Sequence, residues 1–413
     1  MIAPPPTLSL RERDRRWHAV RAAMREQRLD ALIVGSFQGR ERLESYLIDD
    51  FLDSIVVFPL EGEPTVLTFA TSRISRALES AARGVEPWVT DYRVAFGGAA
   101  AAQALREKKL DAGRIGIVGF GPTAPGESEG LLPLGFWRNL TTALPGVALE
   151  DFTRAFTDVI LVKSDEELGL LRHAARVSEG VCAVMRDTTR PGVSEAAIYA
   201  EIMREIYRNG CDARYPFMSL HSGPANIAWG APRWLLRAEP PRSVRPGDLV
   251  QAEIHTCYGG QEAQVQMSVA LDPIDETNRF CEDVARRSYE AGVAAVRPGV
   301  TFAEVVRAME APIRDAGCWA KTPLAHTMTF GSTGFTAVNR EQLSDTREAA
   351  IEGQVTPGIR RGDLVLRPGM ALELEPNACL GMHRVNIGAG VVVTATGAEE
   401  LNDLPTRVRH VGA

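Results

Sequence analysis

In the segment GDLVQAEIHTCYGGQEAQVQM, Gly247 to Met267, polar residues recur at every second position: Gln251, Glu253 and His255 before Gly259-Gly260, and Gln264 and Gln266 after it. Side chains alternate along a strand, and a two-residue glycine turn would set Tyr258 opposite Gln261, His255 opposite Gln264 and Glu253 opposite Gln266. All five polar residues then share one side of a hairpin, while Val250, Ala252, Ile254, Val265, Met267 and Val269 share the other. An imidazole beside a carboxylate can exchange protons near neutral pH. The same pattern also suits a hairpin with one solvated face.

An internal repeat decides how the hairpin is to be read. TRPGVSEAAIYAEIMREIYRNGC (Thr189 to Cys211) matches VRPGVTFAEVVRAMEAPIRDAGC (Val296 to Cys318), each with RPGV, a Ser or Thr cap and a helix ending in Gly-Cys. RPGDLVQAEIH (Arg245 to His255) then matches RPGMALELEPN (Arg367 to Asn377) at an offset of 122 residues, which sets Glu253 on Glu375 and Gln264 on Asn386. A duplicated unit of helix plus hairpin predicts two concave faces meeting at a pseudo-twofold axis, with Glu253, Gln264, Glu375, Asn386 and a nearby histidine in one pocket.

The elements around this unit imply two domains, residues 1–160 and 161–413, as expected for a chain of 413 residues. The first reads as α/β: a helix over Asp14 to Arg28, a strand at ALIVGSF, a hairpin from Ser54 to Phe69, a helix at RISRALESAARG and a strand from Arg114 to Phe120. FTRAFTDVILVK (152–163) reads as the crossing into the second domain. SDEELGLLRHAARVSEGVCAVMRD follows as a long helix with Ser164 at its start.

Composition excludes several classes. A net charge of −7 with 46 Lys and Arg against 53 Asp and Glu gives no basic stripe for nucleic acid. No apolar run reaches the length of a membrane span and the N-terminus has no secretory pattern, which predicts a cytoplasmic protein. The six cysteines form no CxxC pair and read as small buried hydrophobes.

The order of KSDEELGLLRHAARV, GDLV, PLAHTMTFGSTGF, PGMALELEP and VVVTATG resembles the creatinase/aminopeptidase P/methionine aminopeptidase (M24) superfamily over nearly the whole chain. The resemblance implies a creatinase-type N-terminal domain and an α+β pita-bread domain. Metal-dependent members use Asp, Asp, His, Glu and Glu in chain order, and the matching positions here are Glu253, Gln264, His326, Glu375 and Asn386. Only His326 and Glu375 keep the family residue. Crowded carboxylates require cations between them, whereas amides are weak ligands. A dinuclear centre is therefore not expected, and no cofactor is assigned; a single divalent metal on Glu253, His326 and Glu375 is the alternative.

Creatinase and ectoine hydrolase, as members without the metal set, imply acid/base hydrolysis of a C–N bond in a small guanidino, amidine or amide compound. Glu253 and Glu375 would bind and polarise it, and Gln264, Gln266 and Asn386 would orient it. The family's serine-glycine motif carries a histidine eight residues after the serine, but HSGPANIAWGAPRW has Gly230 there. His326, His221 and His255 are the candidates for proton transfer, with His383 near the terminal hairpin. Trp229 and Phe217, with Tyr215 and Trp234, could wall the pocket against a cationic or planar substrate. A homodimer with a small-molecule substrate, and neither nucleic acid nor membrane as partner, is the expectation. A mononuclear Xaa-Pro-type peptidase, a metal-dependent lyase and a non-catalytic binding protein are the other readings.

Overall fold

The computed structural model describes residues 5–35, 42–51, 53–121, 132–213, 218–321, 323–328, 334–335 and 361–412. Two compact units divide the chain, one of Thr7–Glu166 and one of Met1–Pro6 with Glu167–Ala413. Phe217 and Tyr215 lie outside the described residues.

The first unit is built on a six-stranded sheet in the order Asp91–Val94, Thr65–Thr68, Ile55–Pro59, Ala31–Gly35, Arg114–Val118, Ala148–Asp151. ALIVG and IVVFP are buried at every position, as β-branched runs covered on both faces must be. Helices Gly98–Glu107 and Leu134–Ala143 close one face through Ala101, Leu105, Phe136 and Leu140. The helix read from Asp14 begins earlier, at Leu10, because Ser9 caps it by accepting from the Glu12 amide. Residues Thr153–Ile160, expected as a crossing, form a helix of this unit. Glu44 in the same unit is fully buried without a side-chain donor among the described residues, and burial pushes its carboxyl up to about 8.

The second unit carries the duplication in its hydrogen bonds. Helices Glu195–Arg208 and Phe302–Asp315 occupy matched positions, capped by Ser194 and by a Thr301–Glu304 capping box. The Gly192 amide donates to Val244 O, and Gly299 donates to Leu366 O. Glu195 donates to Arg242 O, and Phe302 donates to Leu364 O. Each second-half pair is the first displaced by the repeat, which is a physical signature of one unit used twice. The first hairpin, Leu249–Tyr258 with Gln261–Leu271, lays Val250, Ala252, Ile254, Met267 and Val269 on helices Asp165–Thr188 and Glu195–Arg208. The second hairpin keeps the register but is broken in both arms, into Ala371–Leu374 and Asn377–Leu380, and His383–Asn386 and Gly388–Val393. Its outer part pairs with Trp319–Ala320 in a separate three-stranded sheet, and its inner part joins the first hairpin in a nine-stranded one.

All six cysteines are free and buried. Among the described residues, no helix is long and apolar enough to cross a membrane.

Candidate active site

The first hairpin pairs Glu253 with Gln266, His255 with Gln264 and Tyr258 with Gln261. Gly259 and Gly260 have φ of 52° and 81°, the positive values of a type I′ turn, which fixes this register. A third strand, Ser219–Gly223, extends the polar face by setting Ser219 opposite Glu253 and His221 opposite Gln251. Gln251, Glu253, His255, Gln264 and Gln266 are at most 4% exposed, so this face is an interior one and not a solvated surface. The two hairpins meet where Gly388 pairs with Gln266, its own counterpart in the repeat. The pseudo-twofold axis passes through that pair and brings the two polar faces together.

Gln266 reaches across the axis. Its Nε2 donates to Glu253 Oε1 at 3.0 Å and also to Glu375 Oε2. Ser219 Oγ donates to Glu253 Oε2 at 3.1 Å, and Gln264 Nε2 stands 3.5 Å from Glu375 Oε2. His326 sits on the other flank, with Nε2 3.5 Å from Glu375 Oε1 and Nδ1 3.2 Å from Thr327 O. The amide fits because residue 388 is glycine: a Cβ there would lie 2.6 Å from Leu374 O and 2.9 Å from Gln266 Oε1.

The electrostatics follow from burial. Burial, then the charges of Glu253 and Glu373, push the Glu375 carboxyl well above the usual range. Burial would raise Glu253 too, but His255 and hydrogen bonds from Glu375, Gln266 and the Trp229 side chain outweigh it and hold the group below its ordinary value. Glu375 thus keeps a proton and donates it to ionised Glu253. Glu373 is fully buried, has no partner for either oxygen among the described residues, and is pushed up by burial and by Glu253 and Glu262.

The sequence reading passed over Glu373, Ser219, Glu262 and Arg384. Alternation was the available signal: Glu373 precedes Glu375 by two and falls on Gln251 under the repeat, while Glu262 shares a face with Gln264 and Gln266. Among the expected residues, Glu253, Glu375, Gln264, Gln266, His326 and Trp229 come together directly. His255 adjoins them and holds Glu262 Oε1 3.1 Å from its Nδ1. Asn386 is tied by its backbone, receiving Ser268 Oγ on its carbonyl at 2.6 Å and donating its amide to Gln251 Oε1 at 3.1 Å. Its side-chain Oδ1, like Gln264 Oε1, has no donor among the described residues. His221 Nε2 is likewise without a partner, and burial, then the Arg384 cation, push its ring down to about 4. His383 stands at the turn end of its hairpin, bound to Asn278 Oδ1 at 3.1 Å. Ser222 of the serine-glycine motif is held by Glu195 and Arg242 at 2.6 and 2.8 Å.

The model of metallopeptidase family M24 matches residues 169–395, which span the repeat and the site. The chain belongs to that family. Creatinase from Bacillus sp. (strain B-0618) is 21% identical over 98% of this chain and 94% of its own length. Probable dipeptidase PepE from Mycobacterium tuberculosis is 28% identical over 60% of this chain and 61% of its own. In fold, the chain is similar to dipeptidase PepE from Mycobacterium ulcerans (TM-score 0.72, 23% identity, 98% of this chain and 100% of that one). It is also similar to Xaa-Pro dipeptidase from Bacillus anthracis (TM-score 0.71, 17% identity, 97% of this chain and 100% of that one). These likenesses establish the pita-bread architecture with its N-terminal α/β domain. The family's enzymes are hydrolases acting on C–N bonds, and that is the chemistry to which this M24 chain is assigned.

M24 peptidases hold divalent metals, so the donors here must be tested against that role. Two of the five ligand positions present amides, Gln264 and Asn386, and the space between Glu253 and Glu375 is taken by the Gln266 amide nitrogen. An N–H donor aimed at both carboxyl groups stands where a bridging cation would lie, and it repels a cation. Among the described residues no three His, Cys, Asp or Glu side chains are grouped to hold a metal. The residues present do not fit the family's metal centre, and no step below is routed through one.

Proposed function

We propose that this chain is a metal-independent M24 hydrolase that cleaves a C–N bond in a small, cationic or N–H-rich nitrogen compound of guanidino, amidine or amide type. The observation that carries the reading is the Gln266 amide bridging Glu253 and Glu375 across the pseudo-twofold axis. With that gap filled from within, the pocket offers one ionised carboxylate, one carboxylic acid and the acceptor oxygens of Gln264 and Asn386. Such a set suits a ligand that brings N–H donors and one positive charge. Glu253 would hold the cationic nitrogen, Glu375 would polarise the reacting group, and the Trp229 ring would lie against the ligand. A histidine would move the proton. A creatinase matched along nearly the full length of both chains supports this reading, and the dipeptidase likenesses fit the peptidase alternative. Homodimeric assembly and a cytoplasmic location are part of the same proposal.

The test is turnover of a panel of guanidino, amidine and amide compounds by the purified full chain, with and without a strong chelator. Amine or ammonia release that chelation leaves unchanged, and that Glu375→Gln and His326→Ala each lower by about 10²–10⁴-fold, is the expected outcome. A stoichiometric transition metal whose removal abolishes turnover would instead establish the mononuclear peptidase or lyase reading.

A further inference from the structure

A hydrolase of this kind needs a proton-transfer group, and its usual place is vacant. Gly230, with φ of 107°, stands there and carries no side chain to move a proton. Comparing the two halves of the repeat shows where the function has gone.

His255 and Asn377 are counterparts in the duplication, as are Glu262 and Arg384. In each half the same diagonal contact forms: His255 Nδ1 is 3.1 Å from Glu262 Oε1, and Arg384 Nη1 donates to Asn377 Oδ1 at 2.8 Å. The backbone therefore dictates the contact, and only its chemistry differs. Arginine and asparagine make a fixed pair that carries no proton near neutral pH, whereas histidine and glutamate make one that does. Placement agrees. His255 is two residues from Glu253 on the same face, about 6.6 Å along the strand, while Glu262 lies opposite Cys257, whose Sγ also donates to it at 3.7 Å. Among the described residues, Glu253, Glu373 and Cys257 also face the pair. The other three candidate histidines are held differently: His383 on the Asn278 amide, His326 between Glu375 and a backbone carbonyl, and His221 beside Arg384.

We propose that His255 and Glu262 are the proton-transfer dyad of this site, with Glu262 as the positioning residue that fixes His255 in its Nδ1–H tautomer. The proposal rests on the hydrolase reading above. Nε2 takes a proton from water as the water oxygen bonds to the substrate carbon. The same proton passes from Nε2 to the departing nitrogen as the C–N bond breaks, leaving a neutral ring, a carbonyl product and a free amine.

Long-range ¹H–¹⁵N spectra of the full chain labelled at histidine test the dyad without any substrate. At a pH where the His255 ring is neutral, the expected result is the Nδ1–H, Nε2-unprotonated form in the wild type, with the population shifting toward Nε2–H in Glu262→Ala. Should the alanine variant fail to fold, the near-isosteric Glu262→Gln, whose amide can donate as well as accept, gives a smaller shift in the same direction. A wild-type His255 in the Nε2–H form, or a tautomer unmoved in a folded variant, overturns the proposal. In the turnover panel, Glu262→Ala should lower kcat by about 10²-fold or more with KM within threefold, and Glu262→Asp should recover part of it. An active enzyme indifferent to Glu262 overturns the dyad and leaves the hydrolase reading standing. A panel with no turnover, beside the expected tautomers, counts against the hydrolase reading alone.

Discussion

Replacing Gln266 by leucine separates two accounts of this buried amide. If Gln266 only fills space, a side chain of similar volume without polar atoms should be neutral or stabilising, because a buried amide is costly to keep. If it holds Glu253 and Glu375 together, the variant loses both of its donor contacts to these carboxyl groups. Hydrogen bonds to charged groups contribute about 1.5–3 kcal/mol each. In the variant Glu253 keeps Ser219 at 3.1 Å, and Glu375 keeps Gln264 and His326, each at 3.5 Å, so Gln266 supplies the short contact to Glu375. With about 1.5–3 kcal/mol for the contact to ionised Glu253 and about 0.5–1.5 kcal/mol for the one to the neutral acid Glu375, the sum is about 2–4.5 kcal/mol, a large part of the ~5–15 kcal/mol that holds a typical domain folded. Guanidinium denaturation at pH 7, followed by circular dichroism, reads the difference as a lower midpoint. Gln266→Glu sharpens the test by placing a third acid between the two: millimolar Mn²⁺ should raise its midpoint, by about 2.7 kcal/mol at a hundredfold excess over Kd, and leave the wild type unmoved. A leucine variant as stable as the wild type, or a wild type stabilised by Mn²⁺, refutes the bridging role.

Two further outcomes follow from single buried groups. Glu44, raised to about 8 by burial, is protonated in the folded chain and ionised in the unfolded one between about pH 4.5 and 8. Stability present below that window is therefore lost as pH rises through it, at about 1.4 kcal/mol per pH unit, and Glu44→Gln should flatten the alkaline side of a stability-against-pH curve measured by urea unfolding; an unchanged slope would count against a buried acid there. Gly388→Ala should destabilise by about 1–3 kcal/mol in the same measurement, since its Cβ meets backbone atoms of Leu374 and Glu375 at 2.6 and 2.9 Å; no loss would show that the hairpins separate there at little cost.

Most of the second unit was legible because its signals are periodic. Alternation and a Gly-Gly turn determine the register of the first hairpin, and the RPG repeat determines its counterpart. What alternation alone could not say was whether the polar face is wet. That depended on Ser219–Gly223 and the second hairpin closing over it, both distant in sequence. Reading the site through family ligand positions drew attention to Glu253, Gln264 and Asn386 and away from Glu373, Glu262 and Arg384, which are no part of that pattern yet share the same faces. In the first unit, Thr153–Ile160 was hard to recognise because its helical stripe is short and its apolar residues, Phe156 and Ile160, answer to a core made by distant strands.

The distribution of protons argues for the kind of ligand. Two unit charges 4 Å apart repel by about 4 kcal/mol at an effective dielectric of 20, so three ionised glutamates buried together would oppose folding strongly. Glu373 has no donor among the described residues, and its proton is retained by burial. Glu375 spends its proton on Glu253. Of these three, Glu253 alone is surrounded by donors from Ser219, Gln266, Trp229 and Glu375, and it alone is held ionised. These three carboxyl groups therefore present close to one negative charge. A divalent cation would have to displace the Gln266 nitrogen and drive off at least one proton before it gained two carboxylate ligands. An amidinium or guanidinium needs neither step, since its single charge matches Glu253 and its further N–H groups match the acceptors of Gln264 and Asn386. On the proposed reading, Gln264 and Asn386 at the family's ligand positions, with Gln266 between the two carboxyl groups, are then the part of the site that sets the charge of its substrate.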